Sequence, residues 1–257
     1  MELKMNREID THLKYLGLNN LRQQWDAYLK EATLKKCSYQ KLLTTIISDE
    51  YRHVFDRRRS SRLKAACIPE MLVMETFPFQ RQSQLKKKTV LELYDSLRYI
   101  TESQVLLFIG PTGCGKTGLA TSYLIHAIDN EYHARFIDFK NLLRQLYASL
   151  ADHTDKKVLK RFATIDCLLI DEVGYTSLDK MQAGLFFDLM KMRHKKHCTI
   201  ITSQLGFDEW DSFVNDRHLT AAILDRITEN CTVFNMSKCI SIRRKRIEYA
   251  ADKGKSE

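Results

Sequence analysis

An α/β fold with a mostly parallel five-stranded sheet and flanking helices, preceded by a small all-helical domain, is the class this sequence predicts, on three observations. Apolar residues keep helical spacing from residue 1 to about 67, with no alternation of period two. Beyond residue 88 the pattern changes to five short apolar runs separated by helix-like stretches: VLLFIG from 105, ARFIDF from 134, CLLID from 167, TIITS from 199 and TVFNM from 232. Parallel strands are covered on both faces, so they read as continuous apolar runs joined by crossover helices. The third observation is compositional. With 44% hydrophobic and 28% charged residues but only nine Gly and three Pro, the chain is helix-rich with short loops, which excludes collagenous and long disordered designs.

In the first segment one helix is expected from about Asn20, with Leu21, Trp25, Tyr28 and Leu29 on one face. Another should follow Ser38 and carry Leu42, Leu43, Ile46, Ile47, Tyr51, Val54 and Phe55. These stripes are expected to make a small helical core. Pro69 and Pro78, with mixed polar residues around them, mark 68–88 as a linker closed by Lys86, Lys87 and Lys88. The expected organisation is therefore a helical domain over 1–67, a linker over 68–88, and an α/β domain over 89–257 that ends in a basic tail.

The net charge of +9 is unevenly placed. Residues 1–100 carry 19 Lys and Arg against 12 Asp and Glu, whereas residues 101–257 carry 22 against 20. Such an excess points to a polyanionic partner, and without a membrane-type anchor that means nucleic acid before lipid. No run approaches the roughly 18 apolar residues needed to cross a bilayer, and MELKMNREID lacks the apolar centre of a signal peptide, so a cytoplasmic protein without a membrane partner is expected. The seven Cys residues are scattered singly from Cys37 to Cys239, with no C-x-x-C pair. They read as free thiols, mostly small core residues, rather than a disulfide framework or a zinc site.

Chemistry concentrates in GPTGCGKT, residues Gly110, Pro111, Thr112, Gly113, Cys114, Gly115, Lys116 and Thr117, followed by Gly118. In the pattern G-x-x-x-x-G-K-[S/T] the glycines let a tight loop wrap phosphates with backbone N–H groups. The lysine reaches the outer phosphates and the hydroxyl serves Mg²⁺. A helix beginning near Lys116 adds a partial positive charge toward the anion. Some fifty residues on, LLIDE places Asp171 and Glu172 at the end of a buried strand, the sheet edge where ligands of open α/β folds bind. Asp171 is expected to hold the magnesium with Thr117, and Glu172 to polarise an attacking water, so ATP hydrolysis is the expected reaction. Thr202, Ser203 and Gln204 end the TIITS strand as polar residues, and they read either as a sensor beside the γ-phosphate or as ordinary caps. LTAAILDRIT carries Arg226, which either pairs with Asp225 or Glu229 or is presented to a neighbouring subunit's ATP as an arginine finger, with Arg217 as a rival.

These segments resemble the IstB-type transposition helper ATPases of bacterial insertion sequences, relatives of the DnaC-type helicase loaders in the AAA+ class. The likeness covers essentially the whole chain. It is carried by GPTGCGKT, by LLIDEVGYTSLD from Leu168 to Asp179, by IITSQLGFDEW from Ile200 to Trp210, by LTAAILDRIT, and by LKYLGLNNLRQQWDAYLK with RRRSSRLKAA near the N-terminus. The resemblance implies an AAA+ domain behind a helical DNA-binding domain, and it assigns roles by position. ATP would lie on Gly110 to Thr117, Mg²⁺ on Thr117 and Asp171, the catalytic base at Glu172, the sensor at Ser203 and the trans-acting finger at Arg226. Ser241-Ile242-Arg243 occupies the place of the family's Ser-aromatic-Arg element, with Arg243 as a second phosphate contact. Ile242 for the aromatic and Gln204 where relatives often have Asn depart from the pattern. The resemblance further implies a homo-oligomer on duplex DNA with ATP between subunits, which presents deformed DNA to a partner transposase and disassembles on hydrolysis.

In the segment from Tyr51 to Ala66, Arg52, Arg57, Arg58, Arg59, Arg62 and Lys64 face a single acid, Asp56. Such a stripe is expected to contact phosphates with little sequence choice. The sequence leaves two rival functions. One is a helicase loader whose N-terminal helices grip a replicative helicase. The other is a metabolic phosphotransferase, which accounts for neither the basic N-terminal segment nor LTAAILDRIT.

Overall fold

The computed structural model describes residues 5–82 and 85–242, in two compact units that divide between Arg62 and Leu63. The first unit holds α1 (Arg7–Leu16), α2 (Asn19–Lys35) and most of α3 (Tyr39–Ala66). Asn6 caps α1 by accepting from the Glu8 N–H, and Gly17 closes it at φ +73°. Helix α2 has no side-chain cap of its own. Glu50 on α3 supplies the acceptor instead, taking the Leu21 N–H at 2.7 Å. Tyr28 donates to Asp49 at 3.0 Å, and Arg22 on α2 pairs with Asp10 on α1 at 2.5 Å.

The two helices expected here are present, but much of the apolar stripe expected to pack on α3 is left open. Leu13 and Tyr28 are buried, Leu21, Trp25 and Leu29 only partly, while Leu43, Ile47 and Tyr51 are 59%, 66% and 67% exposed. The wide apolar stripe on α3 exceeds what α1 and α2 can cover. The unit is tied together as much by Glu50, Asp49 and the Arg22–Asp10 pair as by burial. The basic residues lie on the C-terminal half of α3, where Arg52, Arg57, Arg58 and Lys64 are exposed and Arg59 and Arg62 half-buried.

The second unit continues through two short 3₁₀ turns, Met74–Thr76 and Phe79–Arg81, then α4 (Lys87–Ser96) and α5 (Arg98–Thr101). After these come β1 (Val105–Ile109), α6 (Lys116–Asp129), β2 (Ala134–Asp138), α7 (Phe139–Ala151), α8 (Asp155–Ala163) and β3 (Cys167–Val173). The rest is α9 (Lys180–Arg193), β4 (Cys198–Ser203), α10 (Trp210–Val214), α11 (Arg217–Thr228) and β5 (Cys231–Asn235). All five apolar runs form strands. They make one sheet in the order β2-β3-β4-β1-β5 with every pairing parallel. Alternating residues of β1 feed two cores. Leu106 and Phe108 pack with Leu119, Tyr123 and Leu124 of α6, whereas Leu107 and Ile109 join Leu142 of α7, Phe186 of α9, Ile223 of α11 and Trp210. The result is three layers, helix, sheet and helix.

The 68–88 stretch packs onto this unit. Met74 and Leu85 are buried in the core, and the Ser122 hydroxyl of α6 donates to the Leu72 carbonyl at 3.1 Å. At the far end of α9, Arg193 is 1% exposed. Its guanidinium donates to the carbonyls of Phe162, Ala163, Ile165 and Cys198 and to the Thr199 hydroxyl. Burial pulls its pKa down to about 10. The cysteines are free, with Cys114, Cys167, Cys198 and Cys239 buried and Cys67 exposed. Among the described residues no helix is long and apolar enough to cross a membrane.

Candidate functional site

Because β1 is interior to the sheet, flanked by β4 and β5, the chain leaving its C-terminal end enters a crowded edge and must turn tightly. Gly110 makes the first step possible, since a Cβ there would lie 2.7 Å from the Met236 carbonyl oxygen. Gly113 and Gly115 then adopt φ of +81° and +100°, a region that favours glycine, and α6 begins immediately at Lys116. The helix has no side-chain cap, and the positive end of its dipole favours an anion there. Lys116 is folded back into the loop, where its Nζ donates to the carbonyls of Gly110 at 2.6 Å and Pro111 at 2.9 Å.

Strand β3 delivers the acids to the same edge. Asp171 is 6% exposed, and it accepts from the Thr117 hydroxyl at 3.0 Å and from the Thr202 hydroxyl at 2.6 Å. Burial raises its pKa, against the opposing pull of those two hydrogen bonds and of the Lys116 charge. The next residue, Glu172, is exposed at φ +61°, where the pairing of β3 with β4 slips. Its N–H donates to the Thr202 hydroxyl oxygen at 2.9 Å. Thr202 thus donates to the Asp171 carboxylate while accepting from the Glu172 backbone.

These groups line a cleft of about 490 Å³, large enough for a nucleotide. Lys116, Thr117, Asp171, Glu172 and Thr202 belong to the lining, as do the apolar Leu72, Val73, Phe77 and Pro78. The Thr117 and Asp171 oxygens, hard donors about 3 Å apart, suit Mg²⁺.

The sequence matches the profile of the family described as IstB-like ATP binding protein over residues 11–250. The chain belongs to the IstB-like family. It is 30% identical over 229 residues to the insertion sequence IS21 ATP-binding protein of Pseudomonas aeruginosa, covering 89% of this chain and 86% of that one. It is likewise 30% identical over 250 residues to the insertion sequence IS5376 ATP-binding protein of Geobacillus stearothermophilus, covering 97% and 99%. Its fold is shared with the crystal structure of the DnaC helicase loader, at TM-score 0.51 and 23% identity, covering 59% of this chain and 88% of that one. It is also shared with the replication initiator DnaA bound to AMPPCP and single-stranded DNA, at TM-score 0.54 and 17% identity over 66% and 51%. The α/β domain of the IstB-like chain therefore has the fold of these DnaC and DnaA structures.

Of the other residues that the sequence assigns, Ser203 and Gln204 also line the cleft of this IstB-like protein. Ser203, read as the sensor, uses its hydroxyl locally, donating to the Val173 carbonyl at 2.8 Å and accepting from the Leu205 N–H at 3.0 Å. Thr202 is the residue hydrogen-bonded to the Asp171 carboxylate and the Glu172 N–H. The reason is register: β4 pairs Ile201 with Ile170, which sets Thr202 beside Asp171 before the bulge shifts Val173 to Ser203. Gln204 is exposed on the cleft rim. Arg226 does not line the cleft. It pairs with Asp225 at 3.0 Å and stacks 5.3 Å from the Phe187 ring centroid, while Glu229 takes Lys195 and His194. Arg217 is exposed at the start of α11. Arg243 and the basic tail lie outside the described residues.

Proposed function

We propose that this protein binds ATP with Mg²⁺ in the cleft and hydrolyses it in the cytoplasm. In the ATP state it assembles with copies of itself on duplex DNA, and there it presents DNA to a partner transposase. Hydrolysis releases the assembly. The observation that carries the nucleotide reading is the hydrogen-bonded set of Thr117, Asp171 and Thr202 at the edge where the glycine loop enters α6. Thr117 and Asp171 would hold the metal, which when bound neutralises phosphate charge. Lys116 supplies a fixed cation, and the N-terminus of α6 adds its dipole. Glu172, exposed in the cleft, orients and deprotonates water, and Thr202 fixes the backbone from which it projects. Arg226, away from the cleft of its own chain, has no duty toward that chain's nucleotide and serves as the finger for a neighbour's ATP.

The transposition context rests on the insertion-sequence origin of the relatives. The helicase-loader alternative has only a likeness of fold behind it.

Replacing Lys116 by alanine should weaken ATP binding about 50-fold, because the phosphates no longer receive a charge-assisted hydrogen bond. Titration with a fluorescent ATP analogue in the presence of magnesium measures this, and unchanged affinity removes the nucleotide from this cleft. The DNA reading has its own test. Changing Arg58, Arg59 and Arg62 together to alanine should lower affinity for random duplex. The log–log salt slope should also fall by about 0.9 for every phosphate that the protein no longer neutralises. The same slope before and after, with helicity intact by circular dichroism, clears α3 of phosphate binding.

A further inference from the structure

A loop that wraps a phosphate with its N–H groups must turn its carbonyl oxygens elsewhere, and each of those oxygens needs a partner. In this chain the partners can be named. Gly110 and Pro111 are served by Lys116. The Gly113 carbonyl accepts the Ile242 N–H at 2.9 Å, from 129 positions downstream. The Cys114 carbonyl accepts the Gln82 Nε2 at 2.9 Å, from 32 positions upstream.

Gln82 does more than fill one bond. It is 1% exposed, its Nε2 also donates to the Ile240 carbonyl at 2.6 Å, and its Oε1 accepts the Ile240 N–H at 3.1 Å. The Ile240 N–H fixes the orientation of the amide, because only an oxygen can face it. One side chain thereby grips both backbone groups of Ile240 and a carbonyl of the phosphate loop. Two residues on, Ile242 lies on the loop itself. A Cβ at Gly115 would lie 2.9 Å from Phe77 Cε2 and 3.0 Å from Ile242 Cδ1, so the loop is closed in by the two segments that Gln82 joins.

We infer that Gln82 is a positioning residue of the nucleotide site, which holds the loop carbonyls away from the phosphates and so preorganises the N–H groups for the anion. The inference rests on the nucleotide reading above and adds a residue outside the phosphate-loop motif. Gln82 touches the loop and the 240–242 segment and does not line the cleft, so its contribution falls on ATP binding rather than on the hydrolytic step. A loop without its clip samples other carbonyl orientations, and the bound geometry must be recovered from ATP binding energy.

The test is steady-state ATP hydrolysis by the full-length protein, with parallel titration by a fluorescent ATP analogue. Gln82→Leu should raise KM and the analogue's Kd about tenfold, the equivalent of one or two ordinary hydrogen bonds, with kcat within about twofold of the parent. Gln82→Glu keeps the shape but turns an acceptor toward two carbonyl oxygens, and its KM should exceed that of Gln82→Leu. Ile242→Pro removes the N–H given to Gly113 and should raise KM likewise.

A role confined to stability would lower the active fraction, reducing apparent kcat at unchanged KM, and that result overturns the inference. So does a parent-like KM in both Gln82 variants. In either case parental ATP binding leaves the nucleotide reading standing, whereas absence of magnesium-dependent ATP binding by the parent protein ends both. Should the Gln82 variants fail to fold, Ile242→Pro decides by the same KM comparison with the parent.

Discussion

The Glu172→Gln protein is expected to bind ATP and duplex DNA normally and to release phosphate slower by a factor of about 10²–10⁴, the usual contribution of a positioned general base. The substitution preserves size and hydrogen-bonding reach but removes the basic oxygen. Neighbouring groups are left in place: Asp171 keeps the Thr117 and Thr202 hydroxyls, and the Glu172 N–H given to Thr202 belongs to the backbone. The left-handed conformation at position 172 costs glutamine about what it costs glutamate, so the strand end is not disturbed. If hydrolysis disassembles the oligomer, the variant should stay on DNA in ATP for many times the parental lifetime. Single-turnover phosphate release and DNA dissociation in the same buffer measure the two effects. Parental turnover removes Glu172 from the base role. Slow turnover with parental release from DNA separates hydrolysis from disassembly.

The contrast between Glu172 and Thr202 shows how far the sequence reaches. The phosphate loop and the acid pair are legible because their spacing is local and their residue types are scarce: glycines where φ is positive, Lys and Thr at a helix start, two acids closing an apolar run. The five strands are legible for a similar reason, since strands buried on both faces leave little room for polar residues. Thr202 against Ser203 depends on the register of β3 with β4, and a bulge of one residue is invisible in either strand taken alone. The stripe on α3 misled in the opposite direction. Helical spacing reports that Leu43, Ile47 and Tyr51 share a neighbourhood, but whether α1 and α2 are broad enough to cover them is a matter of packing. Gln82 lies beyond such reading altogether, because its partners at 114 and 240 are distant in sequence and are backbone atoms.

Arg193 is the strongest case of chemistry hidden in plain composition, and its replacement should have the largest effect on stability. In the run KMRHKKH it reads as one more surface cation, yet it is buried and donates to carbonyl and hydroxyl oxygens rather than to an acid. Phe162 and Ala163 are the last residues of α8, so the guanidinium satisfies a helix C-terminus whose carbonyls have no intrahelical partner and whose dipole favours a cation. The same fork reaches Cys198 and Thr199 and ties that helix end to the start of β4. Arg193→Met fills much of the volume but strands several buried acceptors, each worth about 1–3 kcal/mol when unsatisfied. Relief from burying a charge offsets part of this. A net loss of about 3–4 kcal/mol follows, which for a chain of this size lowers Tm by about 10 °C. Arg193→Lys should recover little, because an ammonium cannot present the planar fork that spans α8 and β4. Thermal unfolding followed by circular dichroism decides the matter: a Tm within about 2 °C of the parent for Arg193→Met would mean that water serves those carbonyls as well as the guanidinium does.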